Sequence, residues 1–474
     1  MRIFSFYKKG LELAPVEIEI SLMRGLPQFQ FMGLPDMAIK ESQLKIRSAL
    51  KRQGYTLPKA EQILVNLKPG YVKKSSRGIE LAVAAAFLWK TGQIPNPESC
   101  DKVFLYGELG LDGKVYVPDD LDSLVQHDRK LPIWSGIPRR GMGYSINAVS
   151  SLNELGQPKF ILGEEFEFKM QRPVLMPWYF SKQASRLIEI VATGEHPVML
   201  AGPAGSGKTT LAEAIHQCLS DPSYEQFLMS SRINKLVGQK LHWRPYVAPH
   251  HTTPPLSMVG GGVPPFPGEI TRAHGGTLVM DEFLEFPSKV REALREPVEK
   301  GEIVVARRGR PQVYPAQVLL IATSNLCHCG DLVPGRTTGC RYSLVKCRSY
   351  SERLSGPILD RFHILSFSHK WGVGKEVDLS QIVPRIRKAR DFALKARKQS
   401  HPNGRLSESE LMLSSKMQHY LDLFPQQNSS RRRLKAILRV ARSIADLEGN
   451  HEINLQHYEE AMDLCWRSFE EMKR

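Results

Sequence analysis

One short segment constrains the fold of this 474-residue chain more than any other. Residues 202–210 read Gly-Pro-Ala-Gly-Ser-Gly-Lys-Thr-Thr, after an apolar stretch at 197–201 and before a helical pattern at 211–219. A glycine-rich turn between a strand and a helix lets backbone N–H groups and the helix N-terminus surround a phosphate chain. We therefore expect an α/β fold that binds a nucleoside triphosphate such as ATP. The expected nucleotide contacts are Gly202, Gly205, Gly207, Lys208, Thr209 and Thr210.

Two further apolar stretches end in polar residues that suit phosphate chemistry. Asp281 and Glu282 follow the stretch 277–280, and Asn325 follows the stretch 318–324. Ligands of open α/β sheets bind at the carboxyl ends of the strands. We expect Thr209 and Asp281 to serve Mg²⁺, and Glu282 and Asn325 to polarise and orient the attacking water.

The segment Asp360-Arg361-Phe362 adds an arginine after a short helix-like stretch. In ring-forming nucleotide hydrolases, an arginine in this place reaches the γ-phosphate of the neighbouring subunit. A surface ion pair is the alternative interpretation of Arg361.

The composition indicates which partners and compartments fit. The net charge is +16 and the pI is about 9.5, which is typical of a protein that meets a polyanion, although a basic surface without a nucleic-acid role has the same charge. No apolar run reaches the ~18 residues of a membrane span, and the N-terminus lacks the apolar segment of a signal peptide. We expect a cytoplasmic protein with no membrane partner.

The chain divides into three expected domains. Residues 1–165 indicate an α/β domain, 178–370 an α/β nucleotide-binding core, and 376–474 a helical lid. In the first domain the patterns predict strands at 16–22 and 63–67, helices at 39–53 and 79–88, and a hairpin over 103–115 that turns at Asp112-Gly113. In the last domain they predict helices at 379–398, 408–423, 431–447 and 455–472.

Several longer strings resemble one protein family. They are Phe31–Asp36, Val65–Pro69, Gly107–Gly113, Ala248–Thr252, Val259–Gly262, Pro267–His274, Leu294–Glu299, Arg353–Arg361 and Ile437–Asp446. Together with the nucleotide motifs, they are similar to the magnesium-chelatase-like AAA+ ATPases of the ComM/YifB group. The resemblance spans nearly the whole chain.

The resemblance implies a fold, an activity and roles for individual residues. It implies an N-terminal Lon-protease-like domain, a AAA+ core with a pre-sensor hairpin, and a helical lid. The implied activity is that of a hexameric DNA helicase that promotes branch migration in natural transformation. Arg361 matches the arginine finger and Arg432 the lid's sensor 2, with Arg431 and Arg433 as alternatives for the latter. The competing function is a AAA+ ATPase that remodels proteins, as magnesium chelatase subunits do.

Two segments depart from the family. Around Gly78, Ser75 and Ser76 have no pattern of a nucleophile, so we expect a non-proteolytic domain. A zinc site is predicted at four cysteines, although Tyr342 occupies the family's fourth position and loss of the site is the alternative. These cysteines are Cys327, Cys329, Cys340 and Cys347.

The last two expectations concern loops of the core. The adjacent His250 and His251 should point to opposite sides of an extended chain, which argues against a shared metal and for a pore loop. The stretch 301–314 predicts a hairpin whose tip carries Arg307, Arg308 and Arg310. Such a tip would contact DNA phosphates without reading bases, and a solvated hairpin is the alternative.

Overall fold

A computed structural model of the chain forms two compact units, Met1–Lys169 and Met170–Arg474. The structure describes all residues except 1, 10, 71–75, 77, 98–100, 122–131, 139–144, 164–169, 263–265, 308–309, 328–342, 344–345, 347–348, 351–352, 354–355, 375, 424–430 and 474.

The first unit is built on a mixed sheet of eight strands, in the order β10-β9-β8-β5-β1-β2-β4-β3. Its strands are β1 (Arg2–Lys9), β2 (Glu12–Arg24), β3 (Phe29–Met32), β4 (Glu61–Lys68), β5 (Lys102–Leu105), β8 (Ile133–Ser135), β9 (Ile146–Ala148) and β10 (Lys159–Ile161). A separate hairpin joins β6 (Glu108–Leu109) to β7 (Val115–Tyr116). The predicted hairpin is therefore shorter than 103–115, because β5 pairs in parallel with β1 and β8.

Two helices pack against this sheet and contribute to the hydrophobic core of the unit. Helix α1 (Met37–Arg52) begins at Asp36, whose carboxylate accepts the Ile39 N–H, and α2 (Glu80–Lys90) is buried from residue 80 to residue 89. The buried Glu80 carboxylate accepts hydrogen bonds from Ser42 at 2.7 Å and from the Leu109 N–H at 2.8 Å. Glu80 therefore ties α1, α2 and the small hairpin together, because a buried carboxylate must keep its partners.

The second unit contains a parallel sheet of five strands in the order β13-β16-β19-β12-β20. The strands are β13 (Tyr246–Val247), β16 (Thr277–Met280), β19 (Leu319–Ser324), β12 (Val198–Ala201) and β20 (Ile364–Phe367). All residues of β12, β16, β19 and β20 are buried, as expected of a parallel sheet covered on both faces.

Helices and short hairpins surround this sheet. The helices are α3 (Lys182–Gly194), α4 (Lys208–Cys218), α5 (Tyr224–Lys235), α6 (Pro255–Val259), α7 (Glu269–Arg272), α8 (Ser288–Ala293), α9 (Arg295–Lys300) and α10 (Gly356–Leu359). The hairpins pair β14 (Gly260–Gly261) with β15 (Phe266–Pro267) and β17 (Glu302–Arg307) with β18 (Arg310–Pro315). Strand β11 (Tyr179–Phe180) pairs with β21 (Val377–Asp378), where the helical region begins.

The C-terminal region is helical. Its helices are α11 (Leu379–Arg397), α12 (Ser415–Leu423), α13 (Arg431–Leu447), α14 (Leu455–Met462) and α15 (Ser468–Lys473), with a π-helical turn at Asp463–Arg467 between the last two. The helix predicted over 408–423 begins only at Ser415, so its first half was wrong. Leu413 there pairs with Ile453 in a bridge, and the Ile453 N–H donates to the Met412 carbonyl at 3.0 Å. No helix within the described residues is long and apolar enough to cross a membrane.

Candidate nucleotide site

The glycine-rich turn connects β12 to α4 and fits a chain of phosphates. Gly205 and Gly207 have φ angles of +72° and +83°, which other residues rarely adopt, and an added Cβ would meet open space at both. The hydroxyl oxygen of Ser206 is buried and has no hydrogen-bond partner among the described residues. Thr209 and Thr210 lie exposed in the first turn of α4. An unpartnered donor beside a helix N-terminus is the arrangement that an anion would satisfy.

Lys208 joins this turn to the end of β19. Its ammonium group donates to the carbonyls of Gly202 at 3.0 Å and Pro203 at 2.7 Å, and to Asn325 Oδ1 at 3.1 Å. Burial lowers the pKa of Lys208, while Asp281 and Glu282 act in the opposite direction. The structure thus brings Lys208 and Asn325 together, with the lysine charge held by oxygens that a phosphate would replace.

Asp281 is fixed by two threonines. Thr209 Oγ1 donates to Asp281 Oδ1 at 3.3 Å, and Thr323 Oγ1 donates to the same oxygen. The Glu282 N–H donates in turn to Thr323 Oγ1 at 3.1 Å. Thr323 was missed by the sequence reasoning. The signal available for it was a polar residue near the carboxyl end of an otherwise apolar strand, beside Asn325.

Glu282 has a left-handed backbone, with φ +54° and ψ +51°, and its side chain is 55% exposed. Its Oε2 lies 3.6 Å from His251 Nδ1, which sits in the turn after β13. The expectation for the two histidines was wrong in its geometry: the ring centroids of His250 and His251 lie 4.1 Å apart, with the ring planes tilted by 33°. The chain turns there, since the Thr253 N–H donates to the His250 carbonyl at 2.9 Å, so the side chains do not alternate as on a strand.

Arg361 and the nucleotide turn lie at opposite ends of the strands of the sheet. Strands β12 and β20 run parallel, with Val198 beside Ile364 and Ala201 beside Phe367. The turn follows Ala201, whereas Arg361 precedes Ile364 by three residues. Four strand residues span roughly 13 Å. Arg361 therefore lies at the amino-terminal ends of the strands, away from the nucleotide turn of the same chain.

Arg361 and Arg432 meet on one carboxylate. Glu299 Oε1 lies 2.9 Å from Arg361 Nη2 and 3.1 Å from Arg432 Nη2. Arg433 is committed elsewhere: it is buried, donates to the Phe362 carbonyl at 3.0 Å and stacks on a neighbouring aromatic ring. Of the three arginines considered for sensor 2, Arg433 is therefore held by packing, Arg431 is exposed, and Arg432 lies beside the arginine-finger candidate.

The hairpin predicted from 301–314 is present as β17 and β18. Arg307 and Arg310 are partners across the strands, at the last pair before the turn. Arg308 lies outside the described residues. This register places two cationic residues, Arg307 and Arg310, at the last pair of the hairpin.

Few residues of the predicted zinc site and of the serine segment are among those that the structure describes. Of the four predicted zinc ligands only Cys327 is described, and it is buried at the end of β19; Cys329, Cys340 and Cys347 fall outside. In the described part of the chain, no group of three or more His, Cys, Asp or Glu side chains could hold a metal ion, so zinc has no support. Ser75 is not described, and the buried Ser76 hydroxyl donates to the Tyr106 hydroxyl at 3.1 Å.

Comparison with protein families gives three consecutive matches. Residues 180–372 match magnesium chelatase, subunit ChlI; residues 16–130 match subunit ChlI of Mg-chelatase; and residues 378–464 match the C-terminal part of magnesium chelatase subunit ChlI. Individual proteins are similar over almost the full length. The competence protein ComM of Haemophilus influenzae is 30% identical, covering 97% of this chain and 96% of that protein. The uncharacterized protein YifB of Escherichia coli is 31% identical, covering 96% and 94%.

Proposed function

This chain belongs to the magnesium-chelatase-like AAA+ family, and we propose that it is an ATP-driven ring motor that moves along DNA. The family implies the use of ATP and Mg²⁺. The residues around Lys208 and Asp281 fit both, because one cluster offers a cation for phosphates and the other a carboxylate and a hydroxyl for a metal ion. Bound Mg²⁺ would neutralise charge that develops on the phosphate oxygens.

The chain's own groups divide the work of hydrolysis. Lys208 binds the phosphates after exchanging its present oxygen partners, and Asn325, which now holds the lysine, is placed to orient a water. Glu282 accepts a proton from that water, and Thr323 holds the backbone that presents the Glu282 carboxylate. Lys208, Asn325 and Glu282 are residues that the motifs predict, whereas the role of Thr323 comes from its hydrogen bond to the Glu282 N–H.

The position of Arg361 is the observation that supports assembly into a ring. Because it lies at the amino-terminal edge of the sheet and the phosphate turn lies at the carboxyl edge, one subunit cannot complete its own site. An arginine supplied by a neighbour stabilises transition-state charge on the transferring phosphoryl group. In a homo-oligomeric ring, Arg361 and Arg432 of each subunit would lie against the nucleotide of the next subunit. The resemblance implies that this ring is a hexamer.

DNA is proposed as the track for two reasons. The similar Haemophilus protein is a competence protein by name, and the end of the β17–β18 hairpin carries clustered arginines. Guanidinium groups contact phosphates of any sequence, which a cytoplasmic branch-migration motor in recombination and natural transformation requires.

The test compares ATPase rates without DNA, with single-stranded DNA and with branched DNA at fixed salt. We expect DNA to raise turnover, Lys208→Ala to weaken ATP binding, and Glu282→Gln to bind ATP while hydrolysing it slowly. Failure of both DNAs to raise turnover or to bind would leave protein remodelling as the function.

A triple variant of the hairpin assigns the DNA contact. Replacing Arg307, Arg308 and Arg310 by alanine should preserve basal turnover, weaken binding to every DNA sequence alike and make its salt dependence shallower, because fewer counterions are released. The matched control removes three exposed cations of α11, namely Arg387, Lys388 and Lys395. Loss of DNA binding in the control alone would move the contact to the helical lid.

A further inference from the structure

Glu299 occupies a position between two arginines that the proposed mechanism needs elsewhere. A single oxygen, Oε1, contacts both Arg361 and Arg432, at 2.9 Å and 3.1 Å. The side chain of Arg361 is 11% exposed, that of Glu299 38% and that of Arg432 60%. The contact is thus buried on one side and open to solvent on the other, where an incoming anion can compete for the guanidinium groups.

The surrounding cleft suits an anion of higher charge than a carboxylate. It encloses ≈ 480 Å³ and is lined by six lysine or arginine side chains and three carboxylates. Arg361 has an unused donor there, since its Nε is buried and has no hydrogen-bond partner among the described residues. Burial lowers the pKa of Arg361, and Glu299 opposes that shift. Glu299 therefore holds the guanidinium group of Arg361, but one of its N–H donors still lacks an acceptor in the described part of the chain.

Glu299 also lies at the base of the arginine hairpin. It is the penultimate residue of α9, and only Lys300 and Gly301 separate it from β17. The Ala316 N–H donates to the Gly301 carbonyl at 2.7 Å, which closes the hairpin. At the other strand's base, Gln317 Oε1 accepts a hydrogen bond from Arg405 of the helical region at 2.6 Å. Both bases of the hairpin are therefore bound to arginines of the lid, through Glu299 and through Gln317.

We propose that Glu299 is a positioning residue that couples the nucleotide state of the neighbouring subunit to the hairpin. In the unengaged subunit its carboxylate holds Arg361 and Arg432 away from the interface. A neighbour's triphosphate takes both guanidinium groups, because it carries more charge, and this releases the base of β17 from the lid. Phosphate release restores the contact. The inference rests on the proposed function, since it requires Arg361 and Arg432 to act across an interface.

The test is Glu299→Gln in the full chain, measured as ATPase rate with and without single-stranded DNA. Glutamine keeps the size but removes the charge, so the arginines are freed and the hairpin is uncoupled. We expect basal turnover to rise on the order of three- to tenfold, as loss of one partly exposed charge pair implies, while the DNA-stimulated to basal ratio falls toward one. Glu299→Asp should restore part of both properties.

The matched control is Glu296→Gln on the same helix, because Glu296 pairs with Lys300 at 3.0 Å and touches neither arginine. It should behave as wild type. In an Arg361→Ala background, Glu299→Gln should give no rise in basal rate. A wild-type rate and ratio in Glu299→Gln would overturn the proposal, as would a fall in both accompanied by a lower melting temperature, which indicates a structural role only.

The same assay separates this inference from the proposed function. If DNA fails to stimulate the wild type, the DNA track is wrong, but the rise in basal rate and its dependence on Arg361 still decide the role of Glu299. If DNA stimulates the wild type and Glu299→Gln equally, the motor stands and the coupling through Glu299 is wrong.

Discussion

Thr323→Val removes one hydroxyl that supports both acidic residues of the nucleotide site. Valine has nearly the same shape and suits a buried strand, so β19 should keep its packing. The hydroxyl now donates to Asp281 Oδ1 and accepts the Glu282 N–H at 3.1 Å. Loss of a hydrogen bond to a charged group costs about 1.5–3 kcal/mol, and an unpaired N–H adds about 1 kcal/mol.

The loss should act on Glu282 most strongly. A left-handed backbone costs a residue with a side chain roughly 1–2 kcal/mol, and at φ +54° Glu282 keeps this conformation with the help of Thr323. If the transition state loses 2–4 kcal/mol of stabilisation because Glu282 is no longer held in place, turnover falls about 30- to 1,000-fold. Binding of ATP should persist, because the contacts of Lys208 remain. Steady-state ATPase and equilibrium nucleotide binding measure the two effects separately.

Thr323→Ser is the matched control, since it keeps the hydroxyl and loses only a methyl group. Its turnover should stay within a few-fold of wild type. Turnover in Thr323→Val within about threefold of wild type would refute the reasoning, because the hydroxyl would then not position the carboxylates. Loss of ATP binding in both variants would instead indicate that β19 had been disturbed.

The remaining predictions concern the subunit interface, the lid and pH. Mixing Arg361→Ala with Lys208→Ala protein should restore part of the ATPase activity, because one type of interface in a mixed ring retains both residues; mixed rings without activity at any ratio would contradict action across the interface. Arg433→Ala should lower the free energy of unfolding by about 2–4 kcal/mol in denaturant titrations, because it leaves buried carbonyls unpaired; an unchanged midpoint would show that its contacts contribute little. The pKa of His196 is lowered to about 3 by burial, and that of His363 is also lowered, so both are neutral in the fold. Since the unfolded chain binds their protons below pH ~6.5, stability should be full above that pH and fall below it, with His196 alone contributing up to about 1.4 kcal/mol per pH unit as the pH drops toward 3. A flat pH profile of unfolding would exclude this.

Local patterns predicted the elements whose formation depends on their own residues. The helix expected over 431–447 has those bounds, because its apolar residues recur at helical spacing and face the core. The helix expected over 408–423 failed at its start, where Leu413 pairs with Ile453, forty residues further along the chain. Helical spacing does not report a bridge to a distant segment. The start of this helix could therefore be located only from the structure.

The same distinction applies to the site. Lys208 and Asp281 belong to motifs that specify a turn and a strand end, and the sheet order then brings them to one edge. Thr323, His251 and Glu299 gain their importance from contacts with residues of other strands and helices. The sequence pattern around Glu299 does not relate it to Arg432, because 133 positions separate the two residues.

The net charge of +16 overstates the cationic surface that is available to DNA. Arg442 is fully buried and shares the carboxylate of Asp446 with Arg397, so two cations rely on one anion inside the lid. Arg433 is likewise buried, with backbone carbonyls and one partly exposed carboxylate as its partners. Such arginines stabilise helix ends and loops, and they add to the formal charge without adding to the surface that DNA would contact. Only exposed cations can contact DNA, and those of α11 are the surface to compare with the hairpin contact proposed above.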